Sequence, residues 1–330
     1  MRSRKIRMVV MRLPKNDGPP KSPRKPRRPC AGVVGFLFFG FFGEAVAMKG
    51  TILYCMQEEK VAIITGGGGM KCAYAAGALV ALAKKLGVRE PDIFISASGS
   101  VEAMFYYLAG QYNHIEKIWL RYLPSPEVVR IFPPALRIDY LIDTVMCQEL
   151  PLNERAFART KTRWFVPVTD FDTGHTEYVS NNTWFDLYEV VRAAKAIPLL
   201  YSGGIRTDSR PSSDGDINVN MADLIHKAHS EGATKIFLIT NTVTLSSAAK
   251  WLMRTSAVFE RSVIRRLMLD DIKHASLDRL PVDVEILVIG PSRPLPAGSL
   301  TRNRRALAQS YQMGWDDLLA KRGDIETLFT

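Results

Sequence analysis

Short apolar runs that end in glycine or serine alternate with stretches of helical periodicity along most of this chain. Lys60–Thr65 is such a run, and four glycines follow it directly, which predicts a buried strand and a turn. Small and apolar residues recur at helical spacing over Met70–Lys85. Asp92–Ser96 then predicts a second strand, and a second helix begins at Val101. A β-α-β-α order favours a parallel sheet covered by helices.

The same patterns predict four more strands and four more helices downstream. The strands are Arg163–Val168, Thr176–Ser180, Lys235–Thr240 and Val284–Ile289, and the helices are Trp184–Ala194, Ala222–Ser230, Ser246–Leu267 and Arg302–Lys321. Tyr122–Ile142 contains four prolines and is interpreted as an irregular loop or cap. We therefore predict one α/β domain over residues 59–295, followed by a helical extension over 296–330.

Positive charge is concentrated at the start of the chain. Of a formal net charge of +11, residues 1–29 carry eleven Lys or Arg against the single acid Asp17. The globular part is therefore nearly neutral, and its composition gives no indication of a nucleic-acid partner. Residues 1–29 also lack a periodic apolar face and are predicted to be disordered.

A short apolar segment over residues 31–42 follows this basic stretch. It is shorter than the roughly 20 residues that a spanning helix needs. Three interpretations stay open: a secretory signal, a membrane-tethering anchor, or a true start at Met48 or Met56. Residues 1–58 are accordingly kept apart from the fold. The protein is expected to be cytoplasmic or membrane-associated, with secretion if residues 1–47 are a genuine signal.

Metal and cofactor chemistry has little support in the sequence. The four cysteines have neither Cys-x-x-Cys nor metal-ligand spacing; they are Cys30, Cys55, Cys72 and Cys147. Asp170 and Asp172 end a predicted strand, where two acids at this spacing more often belong to a turn. We predict no metal and no cofactor.

The glycine cluster Gly66–Gly69 lies between a predicted strand and a predicted helix. Glycines in that position let backbone amides point at an anion beside the helix N-terminus. Lys71 and Cys72 interrupt both frames of the dinucleotide-binding Gly-x-Gly-x-x-Gly motif, and the Gly-Lys-Ser/Thr of a P-loop is absent. A nucleotide-binding protein is therefore the weakest interpretation, and a developing oxyanion is the better candidate anion.

Two further motifs carry candidate chemistry. Ser98 lies where a predicted strand turns into a helix, as the serine of a Gly-x-Ser-x-Gly nucleophile elbow does, although Ser96 and Ser100 occupy the glycine positions. A serine-rich helix cap explains this segment alone equally well. Asp214 and Gly215 follow a Gly/Ser/Pro-rich approach, and such a pair by itself is most often a turn.

In order and spacing, the three motifs together resemble those of the patatin-like phospholipases, and most closely those of a bacterial branch. The family's Gly-Gly-Gly-x-Arg-Gly-Ala-Tyr-x-x-Gly-x-Leu is similar to Gly67-Gly-Gly-Met-Lys-Cys-Ala-Tyr-Ala-Ala-Gly-Ala-Leu79. Weaker likeness extends over about residues 59–320. The resemblance implies a three-layer α/β/α domain with a mostly parallel central sheet, acting on lipid esters at a membrane surface.

The resemblance also implies a role for each motif. Ser98 is the expected nucleophile and Asp214 the base that accepts its proton without a histidine, so Asp214 should be partly desolvated. The expected oxyanion hole lies around Gly67, Gly68 and Gly69. Lys71 stands where the family has arginine. The supporting motif residues are Ser96, Gly99, Ser100 and Gly215.

The chain departs from the family pattern at several positions, and these keep a non-catalytic alternative open. Cys72 replaces the last loop glycine, Ser96 and Ser100 replace the elbow glycines, and Asp216 follows Gly215. A lipid-binding pseudoenzyme on the same fold is therefore the second hypothesis.

An α/β-hydrolase with a Ser-Asp-His triad is the nearest enzymatic rival. It requires a histidine late in the chain, for which His226, His229 and His274 are available. Nothing around these histidines indicates a catalytic loop.

Overall fold

A computed structural model describes residues 59–130, 136–170, 173–182, 186–197, 205–207, 210–215, 219–241, 280–281 and 283–330. Within these ranges eight strands form one sheet. They are β1 Val61–Thr65, β2 Ile93–Ser96, β3 Arg163–Asp170, β4 Thr176–Ser180, β5 Ile205–Thr207, β6 Arg210–Asp214, β7 Lys235–Ile239 and β8 Glu285–Ile289.

The described helices are mostly short. They are α1 Ala73–Lys85, α2 Val101–Leu108, α3 Tyr112–Lys117, α4 Glu154–Phe157, α5 Leu187–Ala194, α6 Met221–Ser230, α7 Arg304–Ala320 and α8 Arg322–Leu328. Tight 3-10 turns over Gly69–Cys72 and Ser98–Ser100 lead into α1 and α2. Wider π-type turns occupy Ile118–Tyr122 and Tyr140–Glu149.

The sheet is mixed but mostly parallel. Its strand order is β5-β6-β3-β2-β1-β7-β8, and β4 also pairs with β3. The five strands from β8 to β3 are all parallel, whereas β4 and β6 pair with β3 antiparallel. The predicted parallel α/β sheet is confirmed. The antiparallel strands β5 and β6 were not predicted, because Ile205–Thr207 and Arg210–Asp214 carry mostly polar residues.

Apolar side chains fill both faces of the sheet, which gives three layers. On one face Leu224, Ile225 and Ala228 of α6 pack with Ala62 and Ile64 of β1. The opposite face is covered by α1, α2 and α7, whose buried side chains form the larger apolar cluster. The strand alternation therefore sends side chains to two separate cores, as expected for a sheet that is buried on both sides.

Most predicted elements are confirmed to within a few residues, α6 and α7 among them. Ser246–Leu267 and the start of the helix predicted from Trp184 lie outside the described residues. The stretch Tyr122–Ile142, predicted as an irregular loop or cap, is irregular over most of its described residues, and helical turns overlap it only at its two ends. Its prolines fall between those turns. The domain limits at residues 58 and 295 stay predictions.

A close backbone contact joins α1 to α7. A Cβ at Gly77 would lie 1.9 Å from the Tyr311 carbonyl oxygen, and one at Gly314 would lie 1.9 Å from that of Tyr74. Only glycine allows two helix backbones to approach so closely. Helix α7 is thus packed directly on α1, the helix that follows the glycine loop. No helix in the described part of the chain has the length and apolar character needed to cross a bilayer.

Candidate active site

Ser98 occupies a strained, buried turn between β2 and α2. Its φ of +48° makes it the one described residue other than glycine with a positive φ. A side chain in this left-handed region is costly, and such strain clusters at functional sites. Ser98 is only 3% exposed. The turn therefore has the sharp strand-to-helix geometry of a nucleophile elbow.

The two serines that replace the elbow glycines both make hydrogen bonds. Thr65 Oγ1 donates to Ser96 Oγ at 2.8 Å. Ser100 Oγ donates to the carbonyl oxygen of Gly66 at 2.8 Å. The hydroxyls therefore connect the elbow to β1 and to the glycine loop, which a glycine at either position would not do.

Gly99 is required by the approach of the glycine loop to the elbow. A Cβ at Gly99 would lie 2.7 Å from the Gly69 carbonyl oxygen and 2.9 Å from Cys72 Sγ. A backbone oxygen cannot yield as a flexible side chain does. Gly99, at a position that the elbow pattern leaves unrestricted, must therefore be glycine for a steric reason.

Asp214 reaches Ser98 from the antiparallel part of the sheet. Strand β4 pairs with Phe165–Thr169 along one edge of β3. Because β2 and β6 pair with β3 residues that β4 also pairs with, both of them lie along the opposite edge. There β6 lies beyond the end of β2, with Asp214 opposite Val168. Ser98 Oγ donates to Asp214 Oδ2 at 2.5 Å, and Asp214 is 1% exposed. The expected desolvation of this carboxylate is therefore present.

Neighbouring backbone fixes the position of Asp214. Its amide donates to the Ala196 carbonyl oxygen at 3.2 Å. A Cβ at Gly215 would lie 2.2 Å from the carbonyl oxygen of Pro167 in β3, so Gly215 must be glycine for the chain to pass β3 this closely. Asp216 lies outside the described residues.

The glycine loop lies beside Ser98 in the cavity. Gly68 and Gly69 have φ values of +130° and +61°, which glycine adopts without strain. Within the described part of the chain, the amides of Gly67, Gly68 and Gly69 have no hydrogen-bond acceptor. Gly68, Gly69 and Ser98 line one cavity. Lys71 does not line it, and its amide donates to the Gly68 carbonyl oxygen at 3.3 Å.

Asn241, which sequence analysis missed, fixes the glycine loop through hydrogen bonds to its backbone. It is buried just after β7, and its Nδ2 donates to the carbonyl oxygens of Gly66 at 2.6 Å and Gly67 at 3.2 Å. Its Oδ1 accepts the Ala75 amide at 3.1 Å. The available signal was a polar residue at the carboxyl end of a buried parallel strand, where ligand-binding residues of such sheets collect.

The C-terminal segment also supports this loop. The Met70 amide donates to the Ser299 carbonyl oxygen at 2.9 Å. A Cβ at Gly69 would lie 2.5 Å from that same oxygen. Ser299 and Leu300 line the cavity that contains Ser98. Sequence analysis assigned no site residue to this segment.

The cavity has a volume of about 310 Å³ and an apolar wall. The wall comes mainly from the region before β3, through Trp119, Leu123, Val128, Val129, Ile138 and Leu141. The Pro-rich stretch that was predicted to be a loop or cap therefore contributes several of these side chains. Such a shape suits a hydrocarbon chain better than a charged metabolite.

A buried ion pair, also missed by sequence analysis, lies beside the elbow. Lys195 Nζ is 2.5 Å from Glu102 Oε2 and donates to the Ser98 carbonyl oxygen at 3.3 Å. Glu102 is fully buried in α2, and both side chains line the cavity. Burial first, and the charge of Glu102 second, raise the pKa of Tyr106 well above its ordinary value. The one sequence signal was the position of Lys195 itself, a lysine among apolar residues directly after the end of α5.

None of the four described histidines lines the cavity. His226 is exposed on α6, and His229 lies 3.3 Å from Asp283. His274 lies outside the described residues. The described part of the chain therefore offers no histidine for a Ser-Asp-His triad.

The described residues also contain no cluster of three or more His, Cys, Asp or Glu side chains able to hold a metal. Asp170 Oδ1 accepts from the amide and the hydroxyl of Thr173, so this carboxylate caps a turn as predicted. Asp172 lies outside the described residues.

Known proteins share parts of this chain. A model of the domain of unknown function DUF6363 matches residues 273–328, a segment that includes Ser299, α7 and α8. The Escherichia coli K12 protein YjjU, which is named as uncharacterized, is 21% identical over 281 residues, 78% of this chain and 76% of its own. These matches assign no chemistry to the chain.

Two solved structures are similar at 12% sequence identity. VipD from Legionella pneumophila matches with a TM-score of 0.42 over 81% of this chain and 67% of its own. Human GIVD cytosolic phospholipase A2, bound to methyl gamma-linolenyl fluorophosphonate, matches with a TM-score of 0.46 over 82% of this chain. The match spans 58% of the human protein's length. These TM-scores are too low to assign the chain to either family.

Proposed function

We propose that this protein is a lipid acyl hydrolase of the patatin-like phospholipase type, which cleaves carboxylic ester bonds through Ser98 and Asp214. The observation that carries the proposal is the 2.5 Å hydrogen bond from Ser98 Oγ to Asp214 Oδ2 in a buried, strained elbow. An isolated carboxylate is a weak base in water, but exclusion of water strengthens its demand for a proton. The apolar cavity beside the pair supports a substrate with an acyl chain.

The proposed reaction has two halves. Ser98 Oγ attacks the ester carbonyl carbon while its proton passes to Asp214 Oδ2, and the protonated Asp214 then gives that proton to the departing alcohol. In the second half, water attacks the acyl-serine carbonyl and its proton passes to Asp214, which returns it to Ser98 Oγ as the fatty acid leaves. Covalent catalysis of this kind replaces one difficult step by two easier ones.

The free amides of the glycine loop supply the proposed oxyanion hole. Negative charge develops on the carbonyl oxygen in each half of the reaction, and backbone donors that are already oriented stabilise it without reorganisation. Gly68 and Gly69 line the cavity with Ser98 and are the better candidates. Lys71 is not proposed as a donor, since its amide is already bonded to the Gly68 carbonyl oxygen.

Ester hydrolysis by the full chain tests the proposal. We expect release of p-nitrophenol from a short-chain ester, and loss by about a thousandfold or more in Ser98→Ala and Asp214→Asn. Exposed residues of the same types provide the matched controls Ser230→Ala and Asp283→Asn, which should keep the activity of the parent. A fluorophosphonate should modify the parent at Ser98 and leave Ser98→Ala unmodified.

The alternative of a lipid-binding pseudoenzyme gives a different result. It predicts that the parent releases neither p-nitrophenol nor fatty acid from micellar phospholipid, while a fluorescent lipid still binds in the cavity. Equal activity of the parent and Asp214→Asn would instead contradict the assignment of Asp214 as the base.

A further inference from the structure

An exposed leucine lies beside the cavity that contains Ser98. Leu300 is 44% exposed and is the one large hydrophobic side chain so exposed in the described part of the chain. It lines the cavity together with Ser299, whose carbonyl oxygen accepts the Met70 amide. Leu300 is therefore held at the opening of the cavity next to the glycine loop.

Basic residues follow this leucine closely in sequence. Arg302, Arg304 and Arg305 follow within five residues, and the sequence from 286 to 315 has no acidic residue. Lys71 comes directly after the residue that bonds Ser299. We call Lys71, Leu300, Arg302, Arg304 and Arg305 the basic rim. None of its four cations has a salt-bridge partner among the described residues.

Two arginines of the basic rim lie at the N-terminus of α7, where positive charge is unfavourable. Arg304 and Arg305 are the first two residues of α7, a helix of 17 residues with no acid in its first turn. A helix N-terminus already carries a partial positive charge, so cations there cost stability rather than add to it. Both arginines are exposed. Their placement is therefore explained better by an external anionic partner than by the stability of α7.

We propose that the basic rim docks the protein on an anionic lipid bilayer, with Leu300 entering the boundary between headgroups and acyl chains. Arginines beside an exposed apolar side chain combine the two attractions that hold peripheral proteins at such surfaces. A nucleic acid would use the arginines but not the leucine. Docked in this way, the opening of the cavity faces the lipid. This orientation gives the proposed hydrolase access to its substrate and rests on that function, whereas the docking itself does not.

Vesicle binding by the full chain tests the docking. Phosphatidylcholine vesicles with and without phosphatidylglycerol are compared at low salt. We expect Arg302→Gln/Arg304→Gln/Arg305→Gln to weaken binding to the anionic vesicles by about a hundredfold, since each charge near the surface contributes about fivefold. Leu300→Ser should weaken it by about fivefold to tenfold. Residues 1–29 are present in every protein compared, so their own attraction to anionic lipid is common to all.

A matched control removes the same number of charges elsewhere. Arg89, Arg155 and Arg159 are exposed, and no salt bridge of the described residues involves them. None of them lines the cavity that contains Ser98. The triple glutamine variant at these positions should bind like the parent. Equal losses in the two triple variants would overturn the proposal, because binding would then follow net charge alone.

A fluorescence measurement reports insertion directly. Leu300→Trp should gain a blue-shifted emission on anionic vesicles that brominated lipids quench. Glu90→Trp, at an exposed position away from the cavity, should gain neither. A Leu300→Trp protein that binds vesicles without added quenching would overturn the insertion of residue 300.

The remaining outcomes separate this proposal from its rivals. Binding of duplex DNA that falls in the arginine variant but not in Leu300→Ser, with no vesicle binding, would replace the bilayer by a nucleic acid. Hydrolysis of a soluble p-nitrophenyl ester should be the same in the parent and in the triple arginine variant of the basic rim, whose positions do not line the cavity. Absence of that hydrolysis in every protein, with vesicle binding as predicted, would reject the enzymatic function and keep the docking surface.

Discussion

Ser98 and Asp214 meet at one hydrogen bond, but different kinds of structure hold them. Ser98 follows β2, which is buried on both faces between two other parallel strands. Asp214 ends β6, which pairs with β3 over only Val168–Asp170 and carries mostly polar residues. The candidate nucleophile thus belongs to the buried parallel core, and the candidate base to a short antiparallel arm. Changes on the arm should therefore disturb the chemistry more than the stability.

The strongest test of this difference is Gly215→Ala. The new Cβ would lie 2.2 Å from the Pro167 carbonyl oxygen, so the backbone beside Asp214 must shift. A displacement of about 1 Å in a reacting group costs on the order of a hundredfold in rate. We expect that loss in kcat with a modest loss of stability, measured by ester hydrolysis and urea unfolding. Gly323→Ala, where a Cβ meets open space, is the control. Activity within about threefold of the parent would mean that the arm is not critical.

The buried pair Lys195–Glu102 should show the opposite balance. Lys195→Met leaves the Glu102 carboxylate without its cation in a buried site, which typically costs about 3–5 kcal/mol of unfolding free energy. Lys195→Met/Glu102→Met should recover most of that stability. The double variant still lacks the hydrogen bond to the Ser98 carbonyl oxygen, and we expect about a tenfold loss in kcat with KM unchanged. Full activity in the double variant would show that the pair does not orient the elbow.

Substitution of a serine beside Ser98 should have a smaller effect on activity and stability. Ser100→Gly restores the glycine of the family pattern but removes the hydrogen bond to the Gly66 carbonyl oxygen. We expect a loss of about 1 kcal/mol in unfolding free energy and a few-fold drop in kcat. Ser100→Ala separates the loss of the hydroxyl from the added freedom of glycine. Higher stability in Ser100→Gly would argue that the serine is merely tolerated.

The smallest expected effect comes from the helix that covers the other face of the sheet. His226→Ala removes an exposed side chain that does not line the cavity, so ester hydrolysis should stay within about twofold of the parent. His229→Ala should lose only its contact with Asp283, an exposed pair of little value to stability. A large loss in either variant would revive a histidine-dependent mechanism.

The same contrast explains what the sequence could and could not reveal. β1, β2 and the turns after them were predictable, because an apolar run followed by glycine or serine is a local signal. β6 was not predictable, since its residues are mostly polar and its partner strand β3 is distant in sequence. Asn241 and Lys195 were missed for a related reason. Each looks like an ordinary polar residue until the fold brings it to the loop or the elbow.

The hydrogen bond between Met70 and Ser299 has a consequence for synthesis of the protein. The glycine loop is translated early, whereas its partner Ser299 emerges from the ribosome only after the whole sheet has been made. A nascent chain therefore contains Ser98 and Asp214 before the hydrogen bond from Met70 to Ser299 can form. We therefore expect the proposed esterase activity to appear only late in translation, once Ser299 can accept the hydrogen bond from Met70.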